Sequence, residues 1–148
     1  MKIYVINGPN LNMLGIREPQ KYGTTDYRTL IKMIEDHCGA RGIEPVFYQS
    51  NHEGNLVDKI QEAYFAGADG IVINPGAYTH TSIAILDAVL ATSLPCVEVH
   101  ISDISVREEF RQTSYVRAAC QRTIIGHGVS GYIEGIDFLC EYLGGKQK

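Results

Sequence analysis

The chain contains no tryptophan, only four cysteines and five prolines in 148 residues. Its cysteines, Cys38, Cys96, Cys120 and Cys140, are widely spaced and form no C-x-x-C pair. That spacing argues against a zinc ribbon or a thioredoxin-type site and predicts buried free thiols in a reducing cytosol. No apolar run approaches the roughly 18 residues of a membrane span. The first one, Lys2-Ile3-Tyr4-Val5-Ile6-Asn7, is too short for a secretory leader and breaks at Gly8-Pro9. Positive charge is not in excess: 13 Lys and Arg stand against 17 Asp and Glu, for a net charge of -4. A nucleic-acid partner held by bulk charge is therefore not expected. These absences predict a cytoplasmic protein with neither a membrane nor a nucleic acid as partner.

What is present is ordinary for a globular chain, 45% hydrophobic and 20% charged, which excludes intrinsic disorder, a coiled coil and a collagen-like repeat. No repeat or linker divides it, so residues 1–148 are expected to form one domain. Short β-branched runs alternate with helical periodicity. Ile3 to Ile6, Pro45 to Tyr48, Gly70 to Ile73, Cys96 to His100 and Thr123 to Ile125 are predicted strands. Between them, Tyr27, Leu30, Ile31, Ile34 and Cys38 recur at helical spacing after Thr24-Thr25-Asp26, and Gly42 closes that segment. A second helix is expected from Asn55, a third capped by Thr79 or Thr81 and running to about Ala91, and a last one from about Gly131 to Leu143. Five buried strands separated by helices imply a parallel sheet with helices on both faces, and the length points to a flavodoxin-like doubly wound α/β domain.

In such folds ligands bind beyond the carboxyl ends of the strands. Polar and titratable residues concentrate there. The first strand is followed by Asn7-Gly8-Pro9-Asn10 and by an irregular loop, around residues 11–23, that holds Arg17 and Tyr22. Loops of this kind are often lids. A guanidinium beside Tyr22 would lower its phenol pKa and make tyrosinate an accessible base. The third strand leads into Asn74-Pro75-Gly76-Ala77-Tyr78-Thr79-His80, and the fourth ends Glu98-Val99-His100-Ile101-Ser102, with Arg107 and Arg111 shortly after. Glu98 and His100 are two apart on a strand, so they share a face. There the carboxylate can fix the imidazole tautomer and favour the imidazolium of a general acid, although a satisfied strand-end histidine or a zinc site joined by His80 fits the same pair. Asn10 and Asn74 are neutral donors suited to a hydroxyl or a developing enolate, or are simply turn residues. Thr79 and His80 suit a hydroxyl or a helix cap, the Ile101 and Ser102 amides a carboxylate, and Arg111 a polar substrate group. Asp87, within the third helix, suits a solvated position.

Together these segments resemble the type II 3-dehydroquinate dehydratases, or type II dehydroquinases. The resemblance runs through Ile6-Asn7-Gly8-Pro9-Asn10-Leu11-Asn12, Arg17-Glu18-Pro19 with Tyr22-Gly23, and Gln49-Ser50-Asn51. It continues in Asn74 to Ser82 with Asp87-Ala88, Glu98 to Ser102, Arg107 to Arg111, Ser114-Tyr115 and Gly131-Tyr132. The order and spacing of all the motifs, over essentially the full length, carry the likeness; Ile16, His127 and Glu134-Gly135 are less typical. The resemblance implies dehydration of 3-dehydroquinate to 3-dehydroshikimate, in aromatic biosynthesis or quinate breakdown, without metal or organic cofactor. It implies that Tyr22 removes the C2 proton to give an enolate and that His100, backed by Glu98, protonates the departing C1 hydroxyl. Arg17 then lowers the tyrosine pKa, and Asn10 holds the enolate through a water. It makes Asn74, His80, Asp87, Ile101, Ser102 and Arg111 substrate contacts. Asp87 would come from a neighbouring subunit of a homododecamer built as a tetramer of trimers.

Other functions fit less well. A phosphoacceptor receiver needs acidic residues where Asn7, Asn10 and Asn74 stand, and an FMN carrier needs a Ser/Thr/Gly phosphate loop that Gly8-Pro9-Asn10-Leu11 does not supply. A Schiff-base dehydroquinase needs a strand-end lysine, and none of the six lysines is convincingly placed. A lyase or isomerase of another hydroxy acid, using the same acid-base pair, remains a rival.

Overall fold

The computed structural model describes residues 1–16, 18–22 and 24–146, with Tyr22 and Lys146 described by backbone only. Its elements run β1 (Lys2–Asn7), α1 (Pro19–Tyr22), α2 (Tyr27–Gly39), β2 (Glu44–Gln49), α3 (Glu53–Phe65), β3 (Gly70–Asn74), α4 (Ile83–Thr92), β4 (Cys96–His100), β5 (Arg122–Ile125) and α5 (Ser130–Lys146). All four strand pairings are parallel, in the order β2-β1-β3-β4-β5, the doubly wound α/β arrangement expected from the alternation of strands and helices.

Because strand side chains alternate, the sheet feeds two cores. Ile3, Val5, Val72, Val97 and Val99 pack on one face with Leu30 and Ile34 of α2 and Tyr132, Ile136 and Leu139 of α5. Tyr4, Ile6, Ile71, Ile73 and Cys96 pack on the other with Leu56 and Ile60 of α3 and Ile85 and Val89 of α4. Fully buried side chains such as Leu30, Ile34, Leu56 and Ile60 each contribute about 1.5–3 kcal/mol of transfer free energy.

The sequence patterns locate the elements to within a few residues. Asp26 caps α2, its carboxylate accepting from the Thr29 amide at 2.7 Å, and Gly42 closes the segment at φ 67°. The cap of α4 is a correction: it is Ser82, whose Oγ accepts from the Ile85 amide at 3.0 Å, and neither Thr79 nor Thr81. Residues 76–80 instead form a separate 3₁₀ turn, which frees the Thr79 hydroxyl for another partner. The loop after β1 is also more ordered than its composition suggests, holding a 3₁₀ turn at Leu11–Met13 and the four-residue α1. All four cysteines are free thiols; Cys38 and Cys96 are buried, Cys120 and Cys140 half-buried. Among the described residues no helix is long and apolar enough to cross a membrane.

Candidate active site

β1 and β3 are neighbours, but their chains leave toward opposite faces of the sheet, so a crevice opens where their carboxyl ends part. Asn7 and Asn74 are register partners at that point. The two outgoing loops touch backbone to backbone: the Gly8 amide donates to the Asn74 carbonyl at 2.8 Å, and a Cβ at Gly8 would stand 2.4 Å from the Pro75 carbonyl oxygen. Only glycine fits there.

A cavity fills the crevice. Pro9, Asn10, Leu11 and Leu14 line it from the β1 loop, Asn74, Gly76 and His80 from the β3 turn, and His100, Ile101, Ser102, Ile104, Arg107 and Arg111 from the segment after β4. The structure thus brings together Asn10, Asn74, His80, His100, Ile101, Ser102 and Arg111 from the sequence-predicted set. Arg17 and the Tyr22 side chain lie outside the described residues. Asp87 sits on the exposed side of α4 and is not among the residues that line this chain's cavity.

Glu98 lies directly beneath His100. It is fully buried, and its Oε1 accepts from His100 Nε2 at 2.7 Å. A carboxylate only accepts, so Nε2 carries a proton and Nδ1 is the nitrogen left to gain or lose one. Three hydroxyls complete the cage: Thr79 donates to Oε1, Ser114 lies 3.0 and 3.2 Å from the two oxygens, and Thr123 donates to Oε2 at 3.4 Å. Burial pushes the Glu98 carboxyl up, but the bonds from His100, Thr79 and Ser114 outweigh it and hold the group below the usual carboxylate range. Glu98 is therefore ionised at neutral pH.

His80 is fixed differently. Its Nδ1 lies 2.7 Å from the Thr113 carbonyl, an acceptor only, so Nδ1 donates and Nε2 is free to accept from a ligand hydroxyl. Burial, with His100 and Arg111 nearby, holds its pKa below the ordinary histidine value despite the Thr113 bond and Glu98. Arg111 donates from Nε to Glu108 at 2.8 Å at the rim. Asn10 adopts φ 69°, and its amide donates to Asn51 Oδ1 at 3.0 Å, itself held by Gln49 Nε2 at 3.1 Å.

Two groups support the site that the sequence-predicted set does not include. Tyr132, fully buried at the start of α5, accepts from Asn74 Nδ2 at 3.0 Å and donates to Asn7 Oδ1 at 2.6 Å. That fixes the Asn74 amide while Asn74 Oδ1 accepts from the Gly76 amide at 3.1 Å. Burial pushes the Tyr132 phenol far above its ordinary value, so it stays a neutral link. Ser114 is the second. Both stand in segments that carry the family resemblance, Ser114-Tyr115 and Gly131-Tyr132, without a site role implied for either.

What the cavity offers is a buried carboxylate–imidazole pair, a neutral histidine acceptor, an oriented amide, a hydroxyl beside two strand-end backbone amides, and rim arginines. Among the described residues no group of three or more His, Cys, Asp or Glu side chains is placed to hold a metal ion. The set suits proton transfer on a small, hydroxylated, anionic molecule.

Known proteins match this chain over nearly its whole length. The family described as class II dehydroquinase matches residues 1–140. A 3-dehydroquinate dehydratase of Caldicellulosiruptor bescii is 51% identical over 142 residues, covering 96% of this chain and 98% of that protein. One from Fusobacterium nucleatum is 54% identical over 144 residues, with the same coverage. The crystal structure of a type II dehydroquinase from Butyrivibrio crossotus superposes with a TM-score of 0.94 at 57% identity, covering 95% of this chain and 97% of that one.

Proposed function

The chain belongs to the class II dehydroquinase family, and from that premise we propose how its residues carry out the reaction. It is a lyase that dehydrates 3-dehydroquinate, a step of the shikimate pathway. In our reading Tyr22 takes the proton from C2, the electrons move into an enolate, and His100 gives a proton to the C1 hydroxyl as the C–O bond breaks. Water and 3-dehydroshikimate leave. One observation carries the acid assignment: the buried Glu98–His100 pair, with Nε2 committed to the carboxylate and the ring lining the cavity. An unprotonated hydroxide is a poor leaving group, so the acid is the step that needs this support.

Arg17 lowers the Tyr22 pKa, and Asn10 holds the enolate through a water. Asn74, His80, Ile101, Ser102 and Arg111 bind the substrate: His80 Nε2 accepts a ring hydroxyl, and Ser102 with its neighbouring amide takes the carboxylate. Residues 1–148 act as one domain, with residues 11–23 as its lid, in the cytoplasm. The same reaction would serve quinate breakdown.

Asp87 acts from a second copy of the chain. Supporting this, it shares the outer side of α4 with Ile83 and Leu90, each 55% exposed, at positions i, i+4 and i+7. An apolar face around one carboxylate suits a subunit interface better than solvent. The assembly we propose is a homododecamer of four trimers.

The test is turnover of 3-dehydroquinate, followed by the ultraviolet absorbance of the conjugated enone product. Tyr22→Phe and His100→Ala should each lose about 100-fold to 10,000-fold in rate. Wild-type turnover in either variant refutes that residue's role. Sedimentation of the active enzyme as a 16.4 kDa monomer would refute the assembly and with it the role of Asp87.

A further inference from the structure

None of residues 113–117 lines the cavity, yet the segment bonds to His80 itself and to Glu98, the partner of His100. The Thr113 carbonyl receives His80 Nδ1 at 2.7 Å. The Tyr115 amide donates to the Thr79 carbonyl at 2.8 Å. Ser114 Oγ stands 2.7 Å from Thr79 Oγ1, 3.0 Å from Glu98 Oε1 and 3.2 Å from Oε2, and accepts from the Arg117 amide at 3.1 Å. The hydroxyl has one proton and three acceptors around it. It is therefore a hub between the carboxylate, the 3₁₀ turn that carries His80, and its own strap.

We propose that Ser114 is a positioning residue of this enzyme: by holding Glu98 it sets the ring of His100, while the strap it anchors sets the ring of His80 through Thr113. The proposal rests on the assignment of His100 as the acid. It follows from proton bookkeeping. A carboxylate with two oxygens and about four lone-pair sites can rotate unless its other sites are occupied. Thr79 and Ser114 occupy them on one side and Thr123 on the other. With those donors in place, Oε1 is presented to Nε2 at one angle only. Neither Thr79 nor Ser114 lines the cavity, so their influence on the reaction must pass through Glu98 to His100 or through the strap to His80.

The charged and titratable groups around Glu98 come from every packed element. His100 and Cys96 lie on its own strand, His80 lies on the β3 turn, and Arg117 Nε on the strap is 3.9 Å from Oε2. Arg117 stays when Ser114 is changed, so the effect of Ser114 on the carboxylate is that of its hydroxyl.

The experiment compares Ser114→Ala with Ser114→Thr and with a cycle through His100→Ala. Losing one hydrogen bond to a charged group should lower kcat by about tenfold with a smaller effect on KM. Because the Ser114 hydroxyl helps hold the Glu98 carboxyl low, its removal should move the acid limb of the pH–rate profile to higher pH. Ser114→Thr, which keeps the hydroxyl, should recover most of both. In a His100→Ala background the part carried through Glu98 is gone, so Ser114→Ala should cost clearly less than in the wild type. A folded Ser114→Ala enzyme with wild-type kcat and pH profile overturns the proposal, as does the same loss in the His100→Ala background. If Ser114→Ala does not fold, Ser114→Cys keeps the volume with a weaker donor and must show the same displaced limb. Full activity in His100→Ala would remove the acid assignment, a separate failure. The role of Ser114 is then read from the ¹⁵N resonances of His100 in labelled protein, with His37, His52 and His127 as unmoved references. An unchanged His100 signal in Ser114→Ala overturns it there too.

Discussion

Replacing Glu98 separates what this carboxylate does for stability from what it does for chemistry. In Glu98→Gln the shape is kept and the charge is lost. The amide oxygen can still accept from His100 and Thr79, while the NH₂ faces Ser114 and Thr123, whose hydroxyls rotate to accept. Each bond to the charged form is worth about 1.5–3 kcal/mol and each neutral one about 1, so the bonds weaken by a few kcal/mol in total. Against that, burying the ion costs several kcal/mol, which glutamine avoids. The two effects oppose each other, and Glu98→Gln should melt within a few degrees of wild type. Glu98→Ala has no such offset. It strands the donors, costs about 3–5 kcal/mol, and at about 2–4 °C per kcal/mol for this size should lower Tm by roughly 6–20 °C.

Activity should not follow stability: a neutral partner no longer compensates an imidazolium, so Glu98→Gln should lose at least about 100-fold in kcat. The pH dependence has a definite sign. A carboxyl held low in the folded state contributes stability that is present above its unfolded pKa, about 4.3. That contribution is lost as pH falls through the lower folded value. The Tm gap between wild type and Glu98→Ala should therefore narrow below about pH 4. Melting curves across pH and enone absorbance measure both quantities. Near wild-type kcat in Glu98→Gln would refute the coupling of Glu98 to the reacting proton.

Tyr132→Phe should cost about 1–3 kcal/mol by urea unfolding, since Asn74 Nδ2 and Asn7 Oδ1 lose their shared buried partner. It should also raise KM, because Asn74 lines the cavity. Gly8→Ala forces a methyl group against the Pro75 carbonyl; destabilisation of about 1–3 kcal/mol or more, with loss of activity, is expected, and a wild-type melting curve would contradict the close approach. Arg17→Ala should slow the reaction and move the limb of the pH–rate profile that reports Tyr22 ionisation to higher pH; an unmoved limb would leave Arg17 as a substrate clamp.

The sheet was legible because short β-branched runs such as Ile3–Ile6 and Gly70–Ile73 alternate with helical periods, the pattern of a parallel sheet covered on both faces, and the Asp26 cap because its side-chain chemistry is local. The shared face of Glu98 and His100 followed from the strand period alone. The cap of α4 was not legible, since Thr79, Thr81 and Ser82 have the same local chemistry and tertiary packing chose among them. Tyr132 reaches Asn7 across 125 positions of sequence, and Ser114 reaches Glu98 across 16. Such bonds have no period or motif of their own. Asp87 read from its own surroundings as a solvated helix residue, and in this chain it is exposed on α4.

The backbone contact at Gly8 makes the crevice mechanically lopsided. The first residues after β1 and β3 are riveted to each other, Gly8 against Pro75 and Gly76 against Pro9, so neither turn can swing without carrying its neighbour. Room for a substrate to enter must then come from the opposite wall, the residues after β4. Slow exchange would mark the riveted side. The Gly8 amide, bonded to Asn74, should give up its proton only when the whole sheet opens, while amides between Asp103 and Gln112 exchange through smaller motions and slow down when product is bound.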